Sequence, residues 1–127
     1  MYQSKVFARR RRAPLTADTV AAALPSAQQM RPRAADAAAL LKALGNPARL
    51  LLACHLGEGE HSVSELGLRA GIDQPNLSQQ LGVLRDQGLV TTRREGKHVH
   101  YQIASPAVLA LLRTLYTIYC APQRGVG

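Results

Sequence analysis

The chain has 127 residues, a formal net charge of +8 and two cysteines. This length is enough for one domain whose core needs no disulfide or metal, and the basic excess favours a polyanionic partner. The apolar run at residues 20–24 is far too short for a secretory signal or a membrane span, so we expect a cytoplasmic protein with no membrane partner.

The positive charge lies mainly at the N-terminal end. Residues 1–33 contain seven Lys and Arg against a single Asp, whereas the remainder has a net charge of only +2. The arginine run at residues 9–12 is expected to be solvated, because blocks of like charge seldom fold, although it would still attract phosphate. We therefore predict a basic, partly disordered arm over 1–33, with a short helix near its middle followed by a linker, a folded domain over 34–122 and a tail over 123–127.

The start of the folded domain has the signals of three successive helices. The segment AADAAALLKAL consists of strong helix formers and ends at Gly45, after which Pro47 can open a second helix, PARLLLACHL. Ser62 and Glu65 have the spacing of a capping box at the start of a third helix. Gly71 is expected to end that helix.

A fourth helix, a β-hairpin and a last helix complete the predicted order. Asp73 is expected to cap the fourth helix, which Gly88 closes, and the short GID connection before it is typical of a helix-turn-helix. The β-rich segment LVTTRREGKHVHYQI turns at EGK, and Ser105 with Pro106 opens the last helix. We therefore predict a mainly α, winged helix-turn-helix fold with the order ααααββα.

The fourth helix has an unusual outer surface. At about 100° per residue its leucines share one stripe, and its other sides carry amides and hydroxyls where a surface helix usually carries Lys and Glu. Such groups match the donors and acceptors that base edges present in the major groove. Cations on the hairpin would bind phosphate or an adjacent minor groove without recognising sequence. The predicted DNA-binding residues are Gln74, Asn76, Ser78 and Gln79 on the helix, and Arg93, Arg94, Lys97 and His98 on the hairpin.

The last helix has a wider apolar surface than one side of a monomer of this size can cover. Its apolar positions are Val108, Leu109, Leu112, Leu115, Tyr116 and Tyr119. Together with the alanine-rich first helix, this surface predicts a partner chain.

The segment from Leu41 to Cys120 resembles the ArsR/SmtB family of winged helix-turn-helix repressors. The resemblance is carried by LLKALGNPARLLLAC, SVSELGLRAGIDQPNLSQQLGVLRDQGLV and TRREGKHVHYQI. It implies a transcriptional repressor and not an enzyme. It also implies a homodimer joined through the first and last helices, which binds an imperfect palindrome of double-stranded operator DNA and releases it when an inducer arrives.

Many members of that family sense metals, but their two common ligand sets have no counterpart here. The third helix begins SVSELG without a thiol, and the last helix offers Leu, Arg, Thr and Tyr where Asp and His are needed. His98 and His100 share a strand face without evident further ligands, and we interpret His55 and His61 as ordinary polar residues. We therefore predict no metal and no other cofactor.

Cys54 and Cys120 fit neither a CxxC motif nor a zinc knuckle, and residue chemistry alone favours two free, half-buried thiols. The dipole of the last helix disfavours a thiolate at its end, which weakly favours Cys54 as the attacking sulfur. One thiol in the second helix and one in LYTIYC resemble the persulfide-sensing BigR and SqrR type of the family. That resemblance implies that reactive sulfur species link Cys54 to Cys120 through a disulfide or a longer polysulfide bridge and release DNA, which derepresses genes of sulfide and sulfur detoxification.

Three other functions fit parts of the pattern. A repressor that responds to arsenic or another thiophilic metal would use both cysteines with a histidine and release thiol protons. A small thiol enzyme is disfavoured because no His, Arg or Gly-rich helix start is placed to activate a cysteine. A protein-interaction module would keep the fold alone, but the amide-bearing helix face and the basic hairpin argue against it.

Overall fold

This computed structural model describes residues 14–19 and 26–122, and the chain divides into two units, Met1–Ala34 and Ala35–Gly127. In the first unit residues 17–19 are helical, and Thr16 Oγ1 accepts a hydrogen bond from the Thr19 amide at 3.1 Å. The rest of the predicted short helix, the arginine run and the C-terminal tail lie outside the described residues.

The segment predicted as a linker is helical instead. Helix α1 spans Ala27–Met30, and a 3₁₀ turn spans Arg31–Arg33. Ser26 and Gln29 form a capping box at the start of α1, and Pro32 lies in the first turn of the 3₁₀ helix, where its missing N–H leaves no bond unmade. The proline that suggested a linker is therefore compatible with a helical turn.

Within the described part of the chain, residues 34–122 form five helices and three strands. The helices are α2 (Ala34–Leu44), α3 (Pro47–Gly57), α4 (Val63–Ala70), α5 (Asn76–Asp86) and α6 (Pro106–Tyr119). The strands are β1 (His61–Ser62), β2 (Val90–Glu95) and β3 (His98–Ile103). The predicted mainly α, winged helix-turn-helix class is confirmed.

Hydrogen bonds at the helix ends confirm most of the predicted boundaries. Pro47 opens α3 as its first residue. The Ser62 hydroxyl accepts from the Glu65 amide at 3.2 Å, and the Glu65 carboxylate accepts from the Ser62 amide at 2.8 Å, which completes the capping box of α4. Gly71 ends α4 with a φ of 67°, in the left-handed region that glycine adopts at little cost.

The start of α5 differs from the prediction. The Asp73 side chain does not cap the helix, which begins at Asn76 with Pro75 in the N-cap position and no side-chain cap. A cap at position 73 would need the amide of Asn76 as its donor, but the chain forms a turn at residues 74–75 and the helix begins only at Asn76. The backbone carbonyl of Asp73 instead accepts from the Leu77 amide at 2.9 Å.

The hairpin belongs to a three-stranded antiparallel sheet with the order β1-β3-β2. Gly96, with a φ of 62°, turns the chain between β2 and β3, and Glu95 lies opposite His98 at the tip. His61 of β1 lies opposite Tyr101 of β3. The prediction missed β1, because two residues are too few to show an alternating pattern.

The core of residues 34–122 joins the helix-turn-helix to the last helix. Its fully buried side chains come from α3, α4, α5 and α6; the largest are Leu52, Leu66, Leu81, Leu84 and Val108. Burying each contributes about 1.5–3 kcal/mol relative to exposure. In the described ranges, no single helix has both the length and the apolar composition to cross a membrane; Ala27–Leu44 and Pro47–Gly57 pass that test only jointly, across a 94° bend.

Candidate nucleic-acid interface and cysteine pair

Helix α5 and the turn before it expose the predicted base-contacting residues. The leucines of α5 are buried against the core, whereas the polar positions are exposed. These exposed positions are Gln74, Asn76, Ser78 and Gln79. The Ser78 hydroxyl donates to Gln74 Oε1, so these two side chains are coupled on the surface.

A buried polar chain that the sequence analysis missed lies behind this face. Gln80 is only 8% exposed; its Oε1 accepts from Arg49 Nη1 at 2.8 Å, and its Nε2 donates to Asn76 Oδ1 at 2.9 Å. The Arg49 guanidinium also donates to the backbone carbonyls of Ala43 and Lys42 at the end of α2. The sequence does hint at this chain, because Gln80 lies on the leucine stripe of the helix. A polar side chain buried there needs hydrogen-bond partners.

The cationic side chains of the hairpin differ in whether a carboxylate balances their charge. Arg93 donates through Nε and Nη2 to both carboxylate oxygens of Glu60, each at 2.8 Å, and through Nη1 to Glu95 at 3.4 Å. The Arg93 side chain lowers the pKa of Glu60 by hydrogen bonding and by charge. Arg94 and Lys97 are exposed and form no ion pair with another described residue. The charge of Arg93 is thus balanced locally, which disfavours the predicted contact of Arg93 with phosphate, whereas Arg94 and Lys97 have no such compensation among the described residues.

One cleft brings part of the predicted set together. It has a volume of about 620 Å³ and lies between α4, the turn before α5 and the tip of the hairpin. Gln74 lines it from the turn, and Lys97 and His98 line it from the hairpin. Asn76, Ser78, Gln79, Arg93 and Arg94 do not line this cleft.

Both cysteines are free and exposed, so the prediction of half-buried thiols is wrong. Cys54 lies in α3, and Cys120 caps the C-terminal end of α6. The two helices are close: a Cβ placed on Gly57 would lie 3.6 Å from Leu112 Cδ1. The tyrosines of LYTIYC are exposed as well, each at 56%.

The pKa of Cys54 is raised above its usual value. Neighbouring atoms desolvate the sulfur although the residue as a whole is exposed, and the charges of Cys120 and Glu58 add smaller upward contributions. Cys120 is therefore close enough to Cys54 for the two sulfurs to interact electrostatically. These surroundings disfavour a Cys54 thiolate, so they give no support to Cys54 as the first attacking sulfur.

Three of the four histidines lie within 4.0 Å of a carboxylate, and His100 Nε2 is 3.5 Å from Glu95 Oε1. His55 Nδ1 lies 4.0 Å from Glu58 Oε1, and His61 Nδ1 lies 3.7 Å from Glu65 Oε1. The rings of His98 and His100 are 6.4 Å apart between centroids. Across residues 14–19 and 26–122, no group of three or more His, Cys, Asp or Glu is placed to hold a metal ion.

A helix-turn-helix whose second helix exposes amides, followed by a hairpin with unpaired cations at its tip, defines a winged helix-turn-helix protein of the DNA-binding class. A family model described as MarR family matches residues 39–98. The biofilm growth-associated repressor of Agrobacterium fabrum is 52% identical over 97 residues, which are 76% of this chain and 83% of the relative.

Solved structures agree with these matches. The transcriptional repressor BigR of Xylella fastidiosa has a TM-score of 0.74 and 49% identity, covering 77% of this chain and 100% of BigR. Reduced HlyU of Vibrio cholerae has a TM-score of 0.70 and 42% identity, covering 74% of this chain and 99% of HlyU. The chain belongs to the family of winged-helix transcriptional regulators that includes the biofilm growth-associated repressors.

Membership of this family makes the chain a DNA-binding transcriptional repressor and not an enzyme. The matching family model is that of the MarR family, so the predicted ArsR/SmtB membership is not confirmed.

Proposed function

We propose that this repressor is a cytoplasmic homodimer of the ArsR/SmtB type that binds operator DNA when Cys54 and Cys120 are reduced. Reactive sulfur species such as persulfides link the two cysteines, the dimer leaves the DNA, and genes of sulfide and sulfur detoxification are expressed. The observation that carries the sensing role is the pair of exposed thiols on two packed helices, α3 and α6, close enough that Cys120 contributes to the raised pKa of Cys54.

DNA binding is assigned to the exposed face of α5 and to the hairpin tip. Gln74, Asn76, Ser78 and Gln79 contact base edges in the major groove, and Arg94, Lys97 and His98 contact phosphate. Two copies place their α5 helices about 34 Å apart, one turn of the duplex, through an interface formed by α2 and α6. Exposed apolar side chains support that interface; they are Leu41, Leu109, Tyr116, Ile118 and Tyr119.

The cross-linking chemistry balances with a persulfide as the oxidant. One cysteine thiolate attacks the terminal sulfur of a persulfide RSSH, which gives a cysteine persulfide and releases the thiol RSH. The thiolate of the second cysteine then attacks the inner sulfur of that cysteine persulfide and displaces hydrosulfide. The sum converts two cysteine thiols and one RSSH into one protein disulfide, one RSH and one H₂S. The disulfide ties α3 to α6 within one subunit.

The bridge affects DNA binding only if it favours a different arrangement of the two subunits. Helix α3 packs on the helix-turn-helix, and α6 belongs to the proposed dimer interface, so a link between them biases the separation of the two α5 helices. A coupling free energy of about 1–3 kcal/mol, typical of such switches, weakens DNA binding about 5- to 150-fold.

Fluorescence anisotropy on the protein's own upstream DNA tests the sensing role, with glutathione persulfide as the oxidant and intact mass as the second readout. We expect the oxidised wild-type chain to lose affinity for the DNA. Its intact mass should fall by the mass of two hydrogens. Cys54→Ser and Cys120→Ser are matched single-thiol variants; both should bind DNA when reduced and stay bound after treatment. If either variant still leaves the DNA, a paired-cysteine switch is wrong.

The DNA-contacting residues can be tested separately from sensing. Gln79→Ala should cost more affinity on operator than on random DNA, because a base contact carries sequence information. Lys97→Ala should weaken binding to both DNAs similarly, because a phosphate contact does not. Equal losses for Gln79→Ala on the two DNAs would remove Gln79 from the base-contacting set.

A further inference from the structure

We propose that Asn76 donates a hydrogen bond to an acceptor on a base edge, and that a buried relay from Arg49 through Gln80 sets this donor polarity. The inference rests on the proposed binding of operator DNA by α5 and deepens it. It names the acceptor atoms to which Asn76 can donate: purine N7, guanine O6 or thymine O4.

The relay has only one direction because its first member can only donate. A guanidinium has N–H groups and no acceptor, so Gln80 must turn its carbonyl oxygen towards Arg49, at 2.8 Å. The Gln80 NH₂ group then faces Asn76 and donates to Asn76 Oδ1 at 2.9 Å. With its oxygen held on the inner side, Asn76 has its NH₂ group left for DNA, and no described residue accepts from that group.

Burial makes this polarity costly to reverse. Gln80 is 8% exposed, so water cannot readily replace a missing partner. Arg49 is itself held by the backbone carbonyls of Ala43 and Lys42, which prevents the guanidinium from following a flipped amide. Reversing Gln80 would put its NH₂ group against the Arg49 N–H and leave a buried donor of Gln80 and a half-buried donor of Arg49 unpaired.

The consequence for DNA follows from the pattern of the major groove. Adenine N6 and cytosine N4 are donors and would face the Asn76 NH₂ group unfavourably, whereas N7, O6 and O4 are acceptors. An unconstrained asparagine can rotate its amide and contact either kind of edge. Asn76 therefore favours a base pair whose orientation places an acceptor, and not adenine N6 or cytosine N4, opposite its NH₂ group. Arg49 and Gln80 act as positioning residues that do not touch DNA.

Gln80→Glu is the variant that separates the two links of the relay. A carboxylate still accepts from Arg49, with added charge attraction, but it has no N–H for Asn76. The Asn76 amide should then turn its NH₂ group inward to the carboxylate and its oxygen towards the DNA. The base preference at that one position should change from an acceptor edge to a donor edge.

The experiment measures binding of the full chain to an operator library in which every base pair is replaced in turn. Asn76→Ala identifies the base pair concerned, because substitutions there should lose their cost of about fivefold or more. Gln80→Glu should invert the preference at the same base pair while the relative affinities at other positions stay as in the wild type. Thermal unfolding of each variant reports whether the fold is retained.

The outcomes are distinct. Inversion at the Asn76 position supports the relay, and so does a loss of discrimination confined to that position. An unchanged preference in Gln80→Glu, or equal weakening at every position, overturns it and leaves the proposed function intact. A wild-type chain without any base preference overturns both the proposed function and this inference.

Discussion

At the scale of single residues, the Cys54 sulfur has an environment that opposes its ionisation. Desolvation raises its pKa first, and the nearby Cys120 and Glu58 raise it further. The thiol form is therefore dominant at neutral pH, and nucleophilic attack by Cys54 becomes faster as pH rises towards a pKa above the usual thiol range. A thiol held in this form reacts slowly with weak oxidants, and the proximity of Cys120 supports the proposed cross-link within one subunit.

The pKa of Cys54 can be followed by alkylation with iodoacetamide. In the reduced wild-type chain, the midpoint of the rate against pH for Cys54, resolved by peptide mass, should lie above that of a free thiol. Cys120→Ser should lower the midpoint, because it removes one of the charges that oppose the Cys54 thiolate. The matched variant Glu58→Gln should act in the same direction. A midpoint that neither substitution moves would contradict the electrostatic link between the two cysteines.

At the scale of secondary structure, the capping box of α4 is held by a carboxylate whose pKa is lowered. The Ser62 amide donates to Glu65 and is the largest cause of that shift. A lowered folded-state pKa means that the ionised form stabilises the fold at pH above the usual glutamate range. This contribution is lost as pH falls through the lowered pKa.

Two variants test the capping box. Ser62→Ala should reduce the free energy of unfolding by about 1 kcal/mol, because the Glu65 amide loses its acceptor. Ser64→Ala is the control for the neighbouring hydroxyl, since Ser64 Oγ lies 3.4 Å from Ser62 Oγ but caps no described helix. Glu65→Gln keeps an acceptor but does not titrate. The stability difference between wild type and Glu65→Gln, from urea unfolding, should shrink as pH falls below the usual glutamate range. A difference independent of pH would contradict the role of the carboxylate.

The two neighbouring arginines of β2 should affect DNA binding differently. Arg93 is compensated by Glu60 and Glu95, whereas Arg94 is unpaired among the described residues. Arg94→Ala should therefore lower the slope of log affinity against log salt by about 1. Arg93→Ala should leave the slope nearly unchanged, because its charge is already balanced. Equal changes in slope would show that Arg93 leaves Glu60 for phosphate in the complex.

Local signals predicted the elements that they encode and missed those that depend on distant partners. Ser62 with Glu65, Gly71 and Pro47 mark helix ends through contacts within a few residues, and the structure has these ends where expected. Strand β1 exists only because β3 lies beside it. The predicted start of α5 lies too early, because residues 74–75 form a turn that the local capping signal of Asp73 does not reveal.

At the scale of the whole molecule, the site combines residues that are far apart in the chain. Gln80 meets Arg49 across 31 positions, and Arg93 meets Glu60 across 33. The sequence predicted which side chains of α5 are exposed, because helical periodicity is local. Neither the relay behind Asn76 nor the balanced charge of Arg93 follows from periodicity, since both need the packed arrangement of α3, α5 and the sheet.

The apolar face of α6 should decide whether two copies associate. Tyr116 is 56% exposed although it lies in the most apolar long helix of the described chain, and a stable monomer would be expected to cover such a side chain. We expect Tyr116→Glu to give a monomer in sedimentation velocity and to weaken operator binding, because one copy contacts only one half-site. The substitution places a charge at the centre of the proposed interface, where it would be buried without a partner.

Leu68→Glu is the matched control for this prediction. Leu68 is 84% exposed, more than Tyr116, but it lines the cleft from α4 and does not lie on α6. If exposure alone drove association, Leu68→Glu would dissociate the dimer at least as readily as Tyr116→Glu. If α6 forms the interface, Leu68→Glu stays dimeric. A dimer that survives Tyr116→Glu would place the interface elsewhere, and a bridge between Cys54 and Cys120 would then have no route through α6 to the spacing of the two α5 helices.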